Sequence, residues 1–458
     1  MFKIAEIARA VSGKLSCGNP QLRISGVSID SRTIKRGELF IAINGRNFNG
    51  HNFIQQAVKK GAAVVIMQPR GHRLKIRPKV ACIEVPDTSR ALGDLARFHR
   101  QRFEIPVVAV TGSCGKTTVK EMIAQVLSEG ARVLKNPGTQ NNNIGVPLAL
   151  LKLQASHDIA VLELGTNHFG EIDYLAKIAQ PNIGVITNIA PVHLDNFKNL
   201  EGVYKEKLSL LANLKPPRIA VLNADDARLK KVSGKKLIPV TYGTRKDCDF
   251  SVSGLKLKFD SKGKMGFLVN AFRRLQLNTI GPVNIYNALA AVAVARIFGQ
   301  TYHSISRRMA GFKFPAGRLR FVKLKGLSFV DDTYNANPAS FKEALAALSK
   351  LRVRGRRIII MGDMLELGAS AIKFHRQIGN YIAGICDTFI SVGELSRVTA
   401  ERVFKSGLNR NCIFHCKNSL GARDLLFNTI KPSCDDIILV KGSRLMKMEE
   451  VIRGAGSK

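Results

Sequence analysis

The chain is 458 residues long, 45% hydrophobic, and carries 71 Lys and Arg against 34 Asp and Glu, a formal net charge of +37. Its length suits about three domains with sizeable cores, and no apolar run approaches the ~20 residues that span a membrane. Such a charge suits anionic partners. Yet no block of five like charges appears, and with no Trp and seven Tyr the basic residues read as a dispersed, solvated surface and not a nucleic-acid tract.

In chain order, residues 1–83 read as a small α/β unit. Ile4, Ile7, Ala8 and Val11 make a short amphipathic helix, and Val27–Ile29 and Leu39–Ile43 look like strands. A helix over Phe53–Lys60 is stopped by Gly61, and Ala62–Met67 is the next strand. Gln68–Lys79, basic with two prolines, reads as a surface loop. The start, Met1-Phe2-Lys3-Ile4-Ala5-Glu6, lacks a cleavable apolar core. Eight scattered cysteines suit reduced thiols in a cytoplasm. Cys412 and Cys416 have no second pair with which to hold zinc.

A second unit, 84–313, has strand-like runs at Ile159–Leu164, Ile183–Ile186 and Ile219–Leu222 with helical patterns between, predicting a largely parallel sheet. Residues 246–278 alternate in short runs that suggest antiparallel strands, and Asn287–Phe298 is an apolar helix. A third unit, 314–458, repeats α/β order. Its strands are expected at Ser328–Asp331, Ile358–Met361, Phe389–Val392 and Ile437–Val440, its helices at Ser340–Ser349 and Ala371–Ile382.

The most informative stretch is Val107–Thr118. Four small or β-branched apolar residues form a buried strand, two glycines (Gly112 and Gly115) allow a tight turn, and Gly-Lys-Thr-Thr opens a helix. Such a turn aims backbone N–H groups at an anion, with the helix dipole adding partial positive charge. Gly112, Ser113, Cys114, Gly115, Lys116, Thr117 and Thr118 are therefore expected around the phosphates of ATP or GTP, with Lys116 on the outer ones and the Thr117 hydroxyl on Mg²⁺. Val110 stands where the full pattern has its first glycine, so the loop is a shortened form. Glu163 ends a strand, where it reads equally as a Mg²⁺ ligand or as a surface carboxylate. His193 lies just past a strand end on the ligand side of such a sheet, although a lone histidine is usually structural. Lys207, in a charged helical run, reads by itself as a solvated lysine.

Taken together, the shortened loop, Glu163, His193-Leu194-Asp195 and Lys207 resemble the central domain of the Mur ligases, ATP-dependent amide-forming enzymes of peptidoglycan precursor synthesis. The stretches Gly138–Leu148, Asp331–Pro338, Met361–Gly368 and Lys441–Arg444 resemble the members that add D-alanyl-D-alanine. The resemblance covers nearly the whole chain. It implies an α/β fold of three domains. These are a small N-terminal α/β domain (1–83) for the UDP-sugar, a central P-loop ATPase-like parallel sheet (84–313) for ATP, and a C-terminal Rossmann-like domain (314–458) for D-alanyl-D-alanine.

The resemblance also implies roles. Thr117 and Glu163 would bind one Mg²⁺, and His193 a second, beside a carbamylated Lys207. Lys116, Lys207 and His193 would be catalytic. Asn284 and Asn287 would lie near the adenine, and Arg318 and Asp332 near the phosphates and ribose. Asp30, Ser31 and Arg32 would meet the uridine nucleotide. Asn141, Asn142, Asn335, Asn337, Asp363, Lys441 and Ser443 would serve the remaining substrate sites. Val283 stands where the family often has His, and Asn49 and Asn143 where an acidic residue is common. The implied substrates are ATP, UDP-N-acetylmuramoyl-tripeptide and D-alanyl-D-alanine, handled by a cytoplasmic monomer without nucleic acid or membrane insertion. The rivals are a diaminopimelate- or lysine-adding or folylpolyglutamate-type ligase of the same superfamily, a nucleic-acid-dependent P-loop ATPase and a non-catalytic binding protein.

Overall fold

A computed structural model describes residues 2–45, 48–69, 80–259, 265–271 and 273–456. Most of the expected Gln68–Lys79 loop lies outside them. Three sheets follow one another along the chain. The first holds β1 (Lys14–Cys17), β2 (Val27–Ser28), β3 (Leu39–Ile41), β4 (Val64–Met67) and β5 (Ala81–Glu84) in the order β1-β5-β4-β3-β2. Only β1 runs antiparallel. It is short and mostly exposed, with no apolar period to betray it in the sequence.

The central sheet has nine strands: β6 (Val107–Thr111), β7 (Val133–Lys135), β8 (Ile159–Glu163), β9 (Ile183–Ile186), β10 (Ile219–Asn223), β11 (Ile238–Gly243), β12 (Phe250–Phe259), β13 (Met265–Val269) and β14 (Arg273–Leu277). Their order is β14-β13-β12-β11-β10-β9-β6-β8-β7. The seven strands from β7 to β12 are parallel, and β12 to β14 form the expected antiparallel extension. Val110 pairs with Glu163 and Thr111 with Ile186. The ends of β8, β6 and β9 are therefore level, and the residues that follow them share one edge. That edge is the crevice where parallel sheets hold ligands.

One side of β6 is covered by the helices Lys116–Leu127 and Val283–Ile297. The second is apolar on every face, and Ala288–Ala295 is fully buried. A residue such as Leu289 there contributes about 1.5–3 kcal/mol by leaving water. The helix begins four residues before the expected Asn287, which places Asn284 and Asn287 on its first turn, one above the other.

The third sheet comprises β15 (Arg320–Leu324), β16 (Leu327–Asp332), β17 (Arg357–Gly362), β18 (Thr388–Val392), β19 (Ile413–Cys416) and β20 (Ile437–Lys441), in the order β15-β16-β20-β17-β18-β19. Only β15 is antiparallel. Cys412–Cys416, considered above as a metal motif, leads into edge strand β19. No helix among the described residues is long and apolar enough to cross a membrane.

Two buried histidines are held neutral. His99 packs edge-on between Phe2 and Phe103, with Nε2 on the Leu153 carbonyl. His375 accepts the Met364 N–H at Nε2 and so donates Nδ1–H to the Ala371 carbonyl. Burial pushes both below the ordinary imidazole value of 6.5. The unfolded chain therefore binds these protons more readily, so stability is full above that value and falls as the pH drops below it. Urea unfolding at stepped pH should show a loss below neutrality of up to about 1.4 kcal/mol per pH unit for each imidazole, and His99→Gln should reduce the slope.

Candidate functional site

The loop after β6 is pressed against its neighbours. Gly112 and Gly115 have φ of +145° and +84°, a region that L side chains rarely adopt. A Cβ on Gly112 would fall 1.9 Å from Thr187 Oγ1, and one on Gly115 2.4 Å from Asn287 Oδ1. The residues after β9 pin the loop from the side. Ser113 N–H donates to Asn188 O (3.0 Å), Cys114 N–H to Asn188 Oδ1 (2.9 Å), and Thr187 Oγ1 to Cys114 O (2.5 Å). Ser113 Oγ donates to Ala190 O (2.9 Å). Lys116 Nζ lies over the turn, bonded to Gly112 O (2.7 Å) and Ser113 O (3.3 Å). Thr117 and Thr118 are buried in the first turn of the helix.

Glu163 is 1% exposed, which disposes of the surface reading. Its Oε1 accepts from Asn141 Nδ2 (2.6 Å), while Oε2 is buried without a partner among the described residues. A bare carboxylate oxygen of this kind costs free energy unless something positive meets it. Asn136, fully buried and overlooked in the sequence, cross-braces the same point. Its side chain bonds Glu163 N and O and Gln140 O, which fastens the asparagine-rich loop to the end of β8. Lys120, also fully buried, holds that loop through Asn136 O and Gly138 O, both at 2.7 Å. Asn142 Oδ1 accepts from Ile144 N and Gly145 N, where the loop turns into a helix.

Lys207 is 1% exposed and is therefore not a solvated lysine. Burial drives its ammonium well below the ordinary lysine range, and the positive charge of Lys116 adds to the shift. Burial lowers Lys116 too, with Glu163 opposing. Beside Lys207, the buried Glu206 accepts from Thr166 Oγ1, Gly170 N and Ile172 N, so it shapes the turn that follows Glu163. Nothing in the charged run Lys205-Glu206-Lys207 signalled that role.

The third sheet closes over this edge. Arg318 Nη2 donates to Thr117 Oγ1 (3.4 Å), and its guanidinium lies over the Tyr334 ring. Tyr334 OH donates to Thr139 Oγ1 (2.6 Å), and Asn337 Nδ2 to Cys114 Sγ (3.2 Å). Lys441 Nζ joins Asp332 Oδ2 (2.5 Å) and Asn335 O (2.9 Å). Asn287 Nδ2 donates to Asn284 Oδ1 (2.8 Å) beside Gly115. His193 Nδ1 lies 2.5 Å from Glu366 Oε2, which lowers the Glu366 carboxyl below its usual range. Asp363 and Ser443 are tied together, Ser443 N–H donating to Asp363 O and Leu365 N–H to Ser443 Oγ.

Asp30, Ser31 and Arg32 stand apart from these bonds, in the loop after β2. Arg32 grips Asp30 through Nε (3.0 Å) and Nη2 (2.8 Å), holding its carboxyl down at about 2, and Ser31 Oγ donates to Gln56 Oε1 (2.7 Å). No group of three or more His, Cys, Asp or Glu that could hold a metal exists among the described residues.

Three family models fall on successive stretches of the chain: the Mur ligase family catalytic domain on 23–100, the Mur ligase middle domain on 110–295, and the Mur ligase glutamate ligase domain on 317–444. The UDP-N-acetylmuramoyl-tripeptide–D-alanyl-D-alanine ligase of Bacillus subtilis is 34% identical over 98% of the chain and 97% of its own length. That of Escherichia coli is 35% identical over the same shares. Among solved structures, MurF from Acinetobacter baumannii superposes with a TM-score of 0.88 at 30% identity, covering 100% of this chain and 99% of its own. MurF ligase from Thermotoga maritima in complex with ADP gives 0.83 at 26% identity, covering 95% and 97%. With its phosphate loop, buried carboxylate and closing third sheet matched along its whole length, the chain belongs to the Mur ligase family.

Proposed function

We propose that the chain is an ATP-dependent amide ligase that joins D-alanyl-D-alanine to UDP-N-acetylmuramoyl-tripeptide through an acyl phosphate, releasing ADP and phosphate, in peptidoglycan precursor synthesis. Near-full-length identity to relatives of that name supports the choice of substrates. The observation that carries the activation step is the desolvated Lys116 over the loop with the buried Thr117 and Glu163 at the ends of β6 and β8. In this reading residues 1–83 hold the UDP-sugar, 84–313 ATP and 314–458 the dipeptide. The eight free cysteines suit a cytoplasmic enzyme.

A carboxylate is a poor electrophile, so the tripeptide carboxylate first attacks the γ-phosphorus of ATP. ADP leaves with the electrons of the broken bond. Lys116 and the backbone N–H groups at the helix start, Gly115 to Thr117, stabilise negative charge as the phosphoryl group transfers. The free amine of D-alanyl-D-alanine then attacks the acyl carbon, and the tetrahedral species expels phosphate to leave the amide. The protein's contribution is placement of three reactants between closing units.

Glu163 Oε2, without a partner among the described residues, and the Thr117 hydroxyl fit Mg²⁺, which uses one or two carboxylates plus substrate phosphates; His193 would hold a second ion. Bound there, Mg²⁺ supplies Lewis-acid stabilisation of the phosphate oxygens. Lys207, buried and displaced toward its neutral amine, is primed to take up carbon dioxide as a carbamate. In that step the amine nitrogen adds to the carbon of carbon dioxide and gives up a proton to solvent, which places an anion beside Lys116.

Phosphate release from ATP, Mg²⁺ and UDP-N-acetylmuramoyl-tripeptide should require D-alanyl-D-alanine. Release driven equally by diaminopimelate, lysine or nucleic acid would refute the assignment. Lys116→Ala should lower kcat by about a hundredfold or more with unchanged thermal unfolding. Gly115→Ala, strained and pushed into Asn287, should chiefly raise the KM for ATP. Lys207→Ala should abolish turnover and regain part of it in added short carboxylates; full activity without them would show that no carbamate is used.

A further inference from the structure

His193 and Glu366 meet from different units. The backbone brings them together as well as the side chains: Leu194 N–H donates to Glu366 O at 3.1 Å, and a Cβ on Gly368 would lie 2.7 Å from Asp195 Oδ1. Both residues have left-handed backbone, with φ of +50° at His193 and +62° at Glu366. Non-glycine residues adopt that region at a cost of about 1–3 kcal/mol, and such strain gathers at functional sites.

The turn that carries Glu366 is held from behind. Met364 N–H is bonded to His375 Nε2 (3.1 Å), Leu365 N–H to Ser443 Oγ (2.8 Å), and Ser396 N–H to Asp363 Oδ1 (2.7 Å). An ordinary surface ion pair is worth little and rests on two mobile side chains. Here the backbone of one unit docks on the other, and the carboxylate reaches one ring nitrogen.

We propose that Glu366 is a positioning residue for the ligase reaction. Its carboxylate takes the Nδ1–H of His193, fixes the ring and leaves the Nε2 lone pair for a divalent cation, and it does so only when the third unit is seated on the second. A partner on one ring nitrogen of a metal-binding histidine sets the tautomer and raises the basicity of the other. The proposal rests on the reading of His193 as a cation ligand. It makes assembly of that half of the cation site contingent on closure, so that phosphoryl transfer waits until the dipeptide-binding unit is in place.

The test uses the full chain with Glu366→Ala, Glu366→Gln, His193→Ala and the Glu366→Ala/His193→Ala double variant. Two readouts are taken: the Mg²⁺ concentration that gives half-maximal phosphate release, and Mn²⁺ bound per chain with a non-hydrolysable ATP analogue, counted by electron paramagnetic resonance. Glu366→Ala should raise the half-maximal Mg²⁺ about tenfold and weaken one Mn²⁺ by a similar factor. Glu366→Gln, whose amide oxygen still accepts Nδ1–H, should restore most of the loss. The double variant should be no worse than His193→Ala, since the two act through one ring.

If His193→Ala weakens Mn²⁺ and Glu366→Ala does not, the positioning role is refuted and the cation reading stands. If neither changes Mn²⁺ binding, the cation reading itself falls. If Glu366→Ala raises only the KM for D-alanyl-D-alanine, Glu366 is a substrate contact and the proposal is overturned. Should Glu366→Ala fail to fold, Glu366→Asp decides: one methylene short, it should behave as described for alanine, and wild-type Mg²⁺ dependence there refutes the role.

Discussion

The close approach of the phosphate loop to its supports governs the rest of the site. At Gly112 and Gly115 there is no room for even a methyl group, because Thr187 and Asn287 already occupy the space. The loop is therefore not a free glycine-rich hinge. It is clamped between the end of β9 and the first turn of the helix Val283–Ile297, and its N–H groups keep their direction whether or not an anion is present. The helix must begin at Val283 for Asn287, braced by Asn284, to reach it, and β9 must lie next to β6 for Thr187 and Asn188 to reach it. Strand order and helix start are both tied to that contact.

A second constraint is electrostatic. Two ammonium groups, Lys116 and Lys207, are desolvated, and the positive charge of Lys116 further disfavours that of Lys207. One carboxylate oxygen of Glu163 has no partner among the described residues. A low-dielectric site holding such unmatched groups is poor as a resting core and good as a receptacle for phosphates and cations, where the same groups find opposite charge. The neighbouring carboxylates are arranged otherwise. Glu206 is saturated by the 166–172 turn, and Asp332 by Lys441 and Leu319 N–H. These two carboxylates build the walls, and Glu163 faces the contents.

The phosphate loop was readable because glycine spacing and a β-branched run state local geometry directly. Glu163 was half-readable: an apolar strand ending in a carboxylate gives position, while burial depends on Asn136 and Asn141, which come from another loop. Lys207 was unreadable on local grounds. In the helix Leu200–Ala212, Lys205 is exposed while Glu206 and Lys207 are buried, although all three are charged. Only resemblance singled Lys207 out. Asp363 and Ser443 were placed with the substrates, and the structure ties them to each other and to the turn that carries Glu366. The short polar strand β1 and the three-residue β7 went unseen, because pairing with a neighbour and not their own residues makes them strands.

The seam between the second and third units is of two kinds. At one end it is apolar: Ile280 and Leu319 belong to the core of the third unit, Val283 packs against it, and Gly281 leaves space that Leu319 fills. At the other end the contacts are polar, from Arg318, Tyr334, Asn337 and Glu366, each hydrogen bond worth about 0.5–1.5 kcal/mol. The assembly is thus built like a book, with a greasy spine and pages held by light clasps. An apolar mouth would have trapped ADP and a bulky product after every cycle. Clasps of this strength part far more readily than the spine, to which Val283 belongs.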